Sequence, residues 1–258
     1  MLKFLPVLSF FFLSLSCSTP TESKSKITLA DTIIKKDTVP TDSVADLNSL
    51  NNNVRDGKVS KADALVQLKL ILPLINAYYF AQGGKVFTKK DWMFPLQRYN
   101  ASNIGGTNGS GYVDDGYNYF DGNKHKGHPA HDIFINDSDQ DCIDDRTKLP
   151  VNVISMTGGI VVAIETKWVP TSDQRGGNYI WIYDPNEDSF FYYAHNSQVL
   201  VKPGTIVKPG DVIAHVGRTG LNAFKKRSPT HLHLMQLTFD KNFIPLPVNP
   251  YKDLVKAN

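Results

Sequence analysis

Short apolar runs separated by turn residues fill the second half of this chain. After Trp92, runs rich in β-branched and aromatic residues recur at 159–164, 179–183, 190–194, 199–201, 212–216 and 232–239. The sequence Val-Lys-Pro-Gly occurs at 201–204 and again at 207–210, and Pro-Gly favours the two central positions of a type II turn. We therefore predict a mainly β, antiparallel, barrel-like domain over residues 93–258.

A segment with a helical spacing of apolar residues precedes this domain. Apolar residues recur near the helical spacing of 3.6 at Leu65, Val66, Leu68, Ile71, Leu72, Ile75 and Tyr79. Ser60 and Asp63 form a capping pair at the start of this pattern, and Gly83-Gly84 is expected to end it. Pro73 is expected to kink or split the helix. Residues 47–92 are predicted to be a helical segment that packs on the main domain.

The first residues form an export leader in this interpretation. Lys3 precedes an apolar run over 4–15 that is too short for a helix across a bilayer, which needs about 20 residues. Leu-Ser-Leu-Ser before Cys17 resembles a bacterial lipobox, although Ser14 stands where an aliphatic residue is usual. We predict a signal peptide over 1–17 and a lipid anchor on Cys17, with simple secretion and loss of Cys17 as the alternative. The expected location is the cell envelope, facing the periplasm.

Polar composition predicts a flexible tether between the leader and the helical segment. Residues 18–46 are rich in Ser, Thr, Lys and Asp and contain few large apolar side chains. The formal net charge of +3 is too small to indicate a nucleic-acid partner. Cys142 is the second of two cysteines, so no disulfide forms within a chain whose Cys17 is lipidated or removed.

Six of the seven histidines fall in three places. His125, His128 and His131 lie in HKGHPAHD, His195 follows a strand-like run, and His231 and His233 form an H-x-H pair. Side chains two apart on a strand share a face, so one member of the pair can bind a metal while the other reaches its water. Two imidazoles and a carboxylate suit zinc with an open fourth position. They also suit the iron of a non-haem oxygenase.

Three blocks in this order resemble the lysostaphin-like (LytM-type) zinc endopeptidases. GHPAHD is similar to their first motif H-x-x-x-D, although Ala130 stands where many relatives have Gly. YYAHNSQVLVKPGTIVKPGDVIAHVGRTG is similar to their middle block, which ends in a Gly-x-Thr-Gly loop, and THLHL to their closing H-x-H. The resemblance covers roughly residues 93–250. It implies a β-sheet groove with zinc on its floor and peptide crosslinks or bridges of bacterial peptidoglycan as substrate.

The resemblance also implies a role for each site residue. His128, Asp132 and His233 correspond to the zinc ligands, His231 to the histidine that handles the proton of the water, and His195 to the second catalytic histidine. His131 is expected to be a surface residue or to support a ligand, while His125 and His215 are expected to be structural or exposed. Since all five positions are filled, an active peptidase is favoured over a non-catalytic wall-binding or amidase-regulating module.

Two features stay open at this point. Whether residues 47–92 block the groove does not follow from the sequence. Five carboxylates within nine residues resemble a calcium loop, yet Cys142 stands where an EF-hand has Gly, and Lys148 where it has Glu. These carboxylates are Asp137, Asp139, Asp141, Asp144 and Asp145.

Overall fold

The computed structural model describes residues 40–257. The predicted leader, Cys17 and most of the predicted tether lie outside these residues. Three α-helices span Pro40–Arg55 (α1), Lys61–Ala81 (α2) and Tyr251–Leu254 (α3). Because α1 already begins at Pro40, residues 40–46 are helical and the tether boundary predicted at 46 is too late.

Helix α2 begins where the capping pair predicts. The Ser60 hydroxyl accepts a hydrogen bond from the backbone N–H of Asp63 at 3.1 Å, and Gly83 has a φ of +84° just beyond the last turn. The helix runs unbroken through Pro73, so it is not split there. By length and composition α2 could cross a membrane, but Leu68, Leu72 and other apolar residues of one face are buried in the same core cluster as the sheet.

Ten strands follow the helical segment. They span Ala130–Phe134 (β1), Asn152–Ile154 (β2), Gly159–Glu165 (β3), Tyr179–Asp184 (β4), Ser189–Ala194 (β5), Gln198–Val199 (β6), Ile206–Val207 (β7), Val212–His215 (β8), His231–Phe239 (β9) and Pro245–Val248 (β10). Every pairing between these strands is antiparallel. The predicted mainly β, antiparallel fold class is confirmed.

The strands form two sheets. The larger follows the order β1-β9-β5-β4-β3-β7, with β10 beside the second half of β9, and the smaller follows β2-β8-β6. The two predicted Pro-Gly turns are present, since Thr205 N–H donates to Lys202 O and Asp211 N–H donates to Lys208 O. Gly204 and Gly210 each have a φ of +89°, which a type II turn requires at its third position.

Apolar cores cover both faces of the larger sheet. Along β4, Tyr179, Trp181 and Tyr183 belong to the cluster that contains the buried residues of α1 and α2. Ile180 and Ile182 belong to the cluster that contains residues of the smaller sheet. Successive side chains of a strand point to opposite faces, so this division places helices on one face and the small sheet on the other. β4 is therefore buried at all six positions.

Candidate metal centre

The pairing of β1 with β9 brings two predicted ligands together. Asp132 and His233 are direct partners in the register of these strands, and His233 Nδ1 lies 3.1 Å from Asp132 Oδ1. His128 precedes β1, and its Nε2 lies 3.2 Å from the same oxygen. One potential ligand atom from each residue lies within 4.8 Å of the others.

These separations fit a zinc ion. Tetrahedral zinc bonds of 2.0–2.2 Å place neighbouring ligand atoms about 3.3–3.6 Å apart, slightly more than the separations of 3.1 and 3.2 Å from Asp132 Oδ1. The second ring nitrogen of His128, Nδ1, lies 3.0 Å from the carbonyl oxygen of Gly111. Donation from Nδ1 to that carbonyl leaves the lone pair of Nε2 directed at the site, which is the usual support of a metal-bound histidine.

The charge states also suit a cation. Burial works against ionisation of Asp132, but the close approach of His128 and His233 outweighs it and holds the pKa of the carboxyl well below its usual value. Burial lowers the pKa of His233 to about 4. An anionic carboxylate therefore stands beside a neutral imidazole at neutral pH, and metal ligation requires both forms.

The two predicted catalytic histidines face the same cleft. The ring of His195 lies 4.9 Å from that of His231 and 5.4 Å from that of His233. His195 Nδ1 lies 2.8 Å from the carbonyl oxygen of Thr219, and His231 Nδ1 lies 2.7 Å from that of Pro229. Each carbonyl fixes the proton on Nδ1 and leaves Nε2 free to exchange a proton. Both rings are almost fully buried, and burial lowers the pKa of His195 well below its usual value.

The Gly-x-Thr-Gly loop over 217–220 positions His195. Thr219 accepts a hydrogen bond from the backbone N–H of Asn178 and donates one to Asn196 O, which fixes the carbonyl that binds His195. His195 itself has a φ of +69°, a strained conformation for a residue other than glycine. Gly220, at a φ of +111°, allows this packing, since a Cβ there would collide with Arg175 O and lie 2.9 Å from His195 Nδ1.

Replacement of Gly220 by alanine should displace His195. We expect Gly220→Ala to keep zinc and to lose activity by roughly 10- to 100-fold, because a shift of about 1 Å in a catalytic group has costs of this order. Gly204→Ala is the matched control, because Gly204 also has a positive φ but has open space around its Cβ position. It should lower the thermal midpoint and leave turnover intact. Equal activity losses in the two variants would contradict this role of Gly220.

The surroundings of the remaining histidines differ in part from those predicted. His131 is fully buried, so the surface alternative is wrong; its Nε2 lies 2.9 Å from Asn249 Oδ1 and its ring lies between those of Tyr112 and Tyr251. Alternation along β1 turns it away from the face that carries Asp132. His125, predicted to be structural or exposed, lines the metal cleft, whereas His215 is half-buried in β8.

In the acidic loop, the buried carboxylate of Asp137 is bound by neighbouring groups. Asp137, Asp139 and Asp141 lie close enough to share an ion. Asp137 already accepts hydrogen bonds from the backbone N–H groups of Asp141 and Cys142 and from the Thr230 hydroxyl. These bonds account for its burial without a cation.

The cleft is also lined by residues that have no predicted role. The cleft has a volume of about 200 Å³. Besides the five predicted residues and His125, its lining includes Arg175, Gly176 and Tyr192. Arg175 and Gly176 lie in a loop between strands, and Tyr192 reads in sequence as part of an aromatic strand. Only the fold reveals that they meet the metal centre.

Comparison with protein families gives one match. Residues 140–244 match the model of peptidase family M23, which confirms the resemblance to lysostaphin-like peptidases. The matched range contains His195, His231 and His233 but begins after His128 and Asp132. The fold adds these two residues to the site, because β1 pairs with β9.

Solved structures give similarities over larger parts of the chain. The catalytic domain of the antimicrobial peptidase lysostaphin from Staphylococcus simulans is 25% identical, with 56% of this chain and 86% of that one covered and a TM-score of 0.36. A putative glycyl-glycine endopeptidase LytM from Ruminococcus gnavus is 23% identical, with coverage of 85% and 87% and a TM-score of 0.42. A zinc-containing peptidase from Vibrio cholerae is 23% identical, with coverage of 68% and 41% and a TM-score of 0.38.

Proposed function

We propose that this protein is a zinc-dependent endopeptidase that hydrolyses peptide crosslinks or bridges of bacterial peptidoglycan. Its residues 140–244 match the model of peptidase family M23. The observation that carries the proposal is the convergence of His128, Asp132 and His233 around one point, with the rings of His195 and His231 in the same cleft. Three protein ligands leave a fourth position for water or substrate, as hydrolytic zinc sites require.

The proposed chemistry assigns each histidine one task. Bound zinc would polarise the scissile carbonyl and bring the pKa of a coordinated water near 7. His231, whose Nε2 is free, accepts a proton from the attacking water and passes it to the leaving amine. His195 faces the carbonyl oxygen through Nε2, because Nδ1 is bound to Thr219 O, and offsets the charge that develops there. No serine or cysteine nucleophile is required.

We propose that this reaction takes place in the cell envelope. Peptidoglycan lies outside the cytoplasmic membrane, and the predicted leader and lipid anchor at Cys17 would hold the enzyme in the envelope, facing the periplasm. A tether after the anchor would let the metal cleft reach the wall. These features lie outside the described residues and stay predictions from the sequence.

Digestion of purified peptidoglycan with and without metal tests this function. The full chain should release new free amines from the wall, and chelation of the metal should stop the release because the water then loses its activation. Zinc at one equivalent should restore it, whereas iron(II) should not. Binding to the wall without amine release would instead indicate a non-catalytic module, and restoration by iron(II) alone would indicate an iron enzyme.

A further inference from the structure

A second cavity lies beside the metal cleft, between α1 and the larger sheet. Its volume is about 80 Å³, and its lining comes from α1, the turn over 117–125, the loop over 174–176 and strands β4, β5 and β9. Four residues line both this cavity and the metal cleft: His125, Arg175, Gly176 and Tyr192. The two cavities are therefore neighbouring compartments, and we call the second one the side cavity.

Tyr192 forms the wall between the compartments. Its ring lies 6.0 Å from that of His233 on the metal side, and 4.4 Å from Trp181 and 5.3 Å from Tyr179 on the other. Gly176 is required at this wall, since any side chain there would collide with the Tyr192 hydroxyl. The carbonyl oxygen of Gly176 also accepts a hydrogen bond from the backbone N–H of His195. A group in the side cavity would thus contact the same wall as the reacting centre.

Three buried polar atoms in residues around the side cavity lack partners. Asn51 Nδ2, the Tyr119 hydroxyl and Gln174 Oε1 are buried and have no hydrogen-bond partner among the residues that the structure describes. All three residues line this cavity. The residues that carry these atoms give the cavity polar surroundings.

One cation at the shared wall has no anionic partner. Arg175 Nη1 donates to the carbonyl oxygen of His125 at 2.6 Å, and within residues 40–257 no carboxylate forms an ion pair with this guanidinium. Arg55, the other cation of the cavity, lies 2.7 Å from both Asp56 and Glu165 and is neutralised. Guanidinium groups bind carboxylates with two parallel hydrogen bonds, so Arg175 indicates an anionic ligand.

We infer that the side cavity is a substrate subsite that takes a carboxylate of the peptide next to the cleaved bond, with Arg175 as its specificity-determining residue. The inference rests on the proposed peptidase function. An apolar cavity of about 150 Å³ holds benzene, so 80 Å³ holds about three or four non-hydrogen atoms. A carboxylate and the carbon that bears it have this size. The carboxylate is either the C-terminus of a short peptide or the end of an acidic side chain.

Three forms of each defined wall peptide test this subsite. One form has all its carboxylates free, the second has the C-terminus amidated, and the third has the side-chain carboxylates amidated. The wild-type enzyme should cleave the free form with a kcat/KM roughly 10- to 100-fold above that of one amidated form, as expected for loss of a charged hydrogen bond. The amidated form that loses cleavage identifies which carboxylate occupies the cavity.

Arg175→Gln removes the positive charge and, because the Gln amide ends two atoms short of the guanidinium, the hydrogen bond to His125 O as well. It should bring the ratio between free and amidated substrates close to one, mainly through KM, while zinc content stays at one per chain. Arg146→Gln, which removes a mostly exposed guanidinium of another surface, is the matched control and should keep the wild-type ratio.

The other outcomes overturn the inference in distinguishable ways. Equal cleavage of all three forms by the wild type would mean that the cavity holds water only, while the peptidase function would stand. An Arg175→Gln enzyme that loses cleavage of every form by the same factor would assign Arg175 a structural role. If the wild type cleaved no form of any wall peptide, the proposed function would fail and the subsite with it.

Discussion

Replacement of His128, Asp132 or His233 by alanine should abolish both zinc binding and turnover. Each residue supplies one of the three ligand atoms that converge in the cleft. Loss of one ligand weakens the affinity for zinc by orders of magnitude, since only two protein donors are left for a tetrahedral ion. We expect less than one tenth of an equivalent of zinc after dialysis, and wall hydrolysis below about one thousandth of the wild-type rate. Metal analysis of protein purified without added zinc measures the first quantity.

His131→Ala is the matched control for the ligand variants. His131 stands one residue before Asp132 but lies on the opposite face of β1, against Asn249. The variant should keep a full equivalent of zinc and lose stability by about 1–3 kcal/mol, as for other buried side chains that lose a hydrogen bond. Full zinc binding by His128→Ala together with zinc loss in His131→Ala would move the ligand from His128 to His131.

Removal of His231 or His195 should separate chemistry from metal binding. Both rings lie in the cleft, and in each one Nδ1 is bound to a backbone carbonyl, so only Nε2 faces the reacting groups. Loss of a proton-transferring group typically costs about 10²- to 10⁴-fold in rate. His231→Ala and His195→Ala should therefore keep near-stoichiometric zinc and show kcat reduced by this factor. Metal analysis and amine release on the same samples measure both quantities.

Two results would contradict these roles. Zinc loss in His231→Ala as complete as in His233→Ala would make His231 a ligand, although it is not among the three residues whose ligand atoms converge. Near-wild-type turnover in both His231→Ala and His195→Ala would place the chemistry elsewhere in the chain. Thr230→Ser, next to His231 but with its hydroxyl bound to Asp137, is a control that should keep both zinc and turnover.

The sequence predicts the central strands well because their apolar runs are long. β3, β4, β5 and β9 lie within one residue of their predicted bounds. β2 and β7 have only three and two residues, too few for a periodic signal. β10, with sequence PLPV, contains two prolines that argue against a strand and are tolerated only at a sheet edge.

The sequence pattern does not predict the start of α1 because the apolar residues of this helix are sparse. Val44, Leu47, Leu50 and Val54 recur at helical spacing and are buried, but most residues between them are polar. Such a helix is stable because its narrow apolar face packs on the sheet domain, a tertiary effect that composition does not show. α2 stays whole despite Pro73, whose side chain lies on the exposed face.

The candidate site could be predicted only in part for a related reason. The H-x-H spacing places His231 and His233 near each other on any strand. Only the register of β1, β9 and β5 brings Asp132 opposite His233 and ends β5 one residue before His195. The register between strands distant in sequence does not follow from the local pattern of apolar residues. The set of five site residues therefore came from the resemblance to a family. Arg175 lies in no motif and Tyr192 opens the YYAH block without a predicted role, so only the fold places them at the site.

Mass spectrometry of the products from a defined wall peptide tests the central claim most directly. The zinc-loaded full chain should convert a crosslinked peptide into two fragments whose masses sum to that of the substrate plus one water. One fragment should carry a new amine and the other a new carboxylate. The His231→Ala protein, with its zinc retained, should yield these fragments at least 100-fold more slowly. An intact substrate after incubation with the zinc-loaded wild type, or equal rates for the two proteins, would contradict the account.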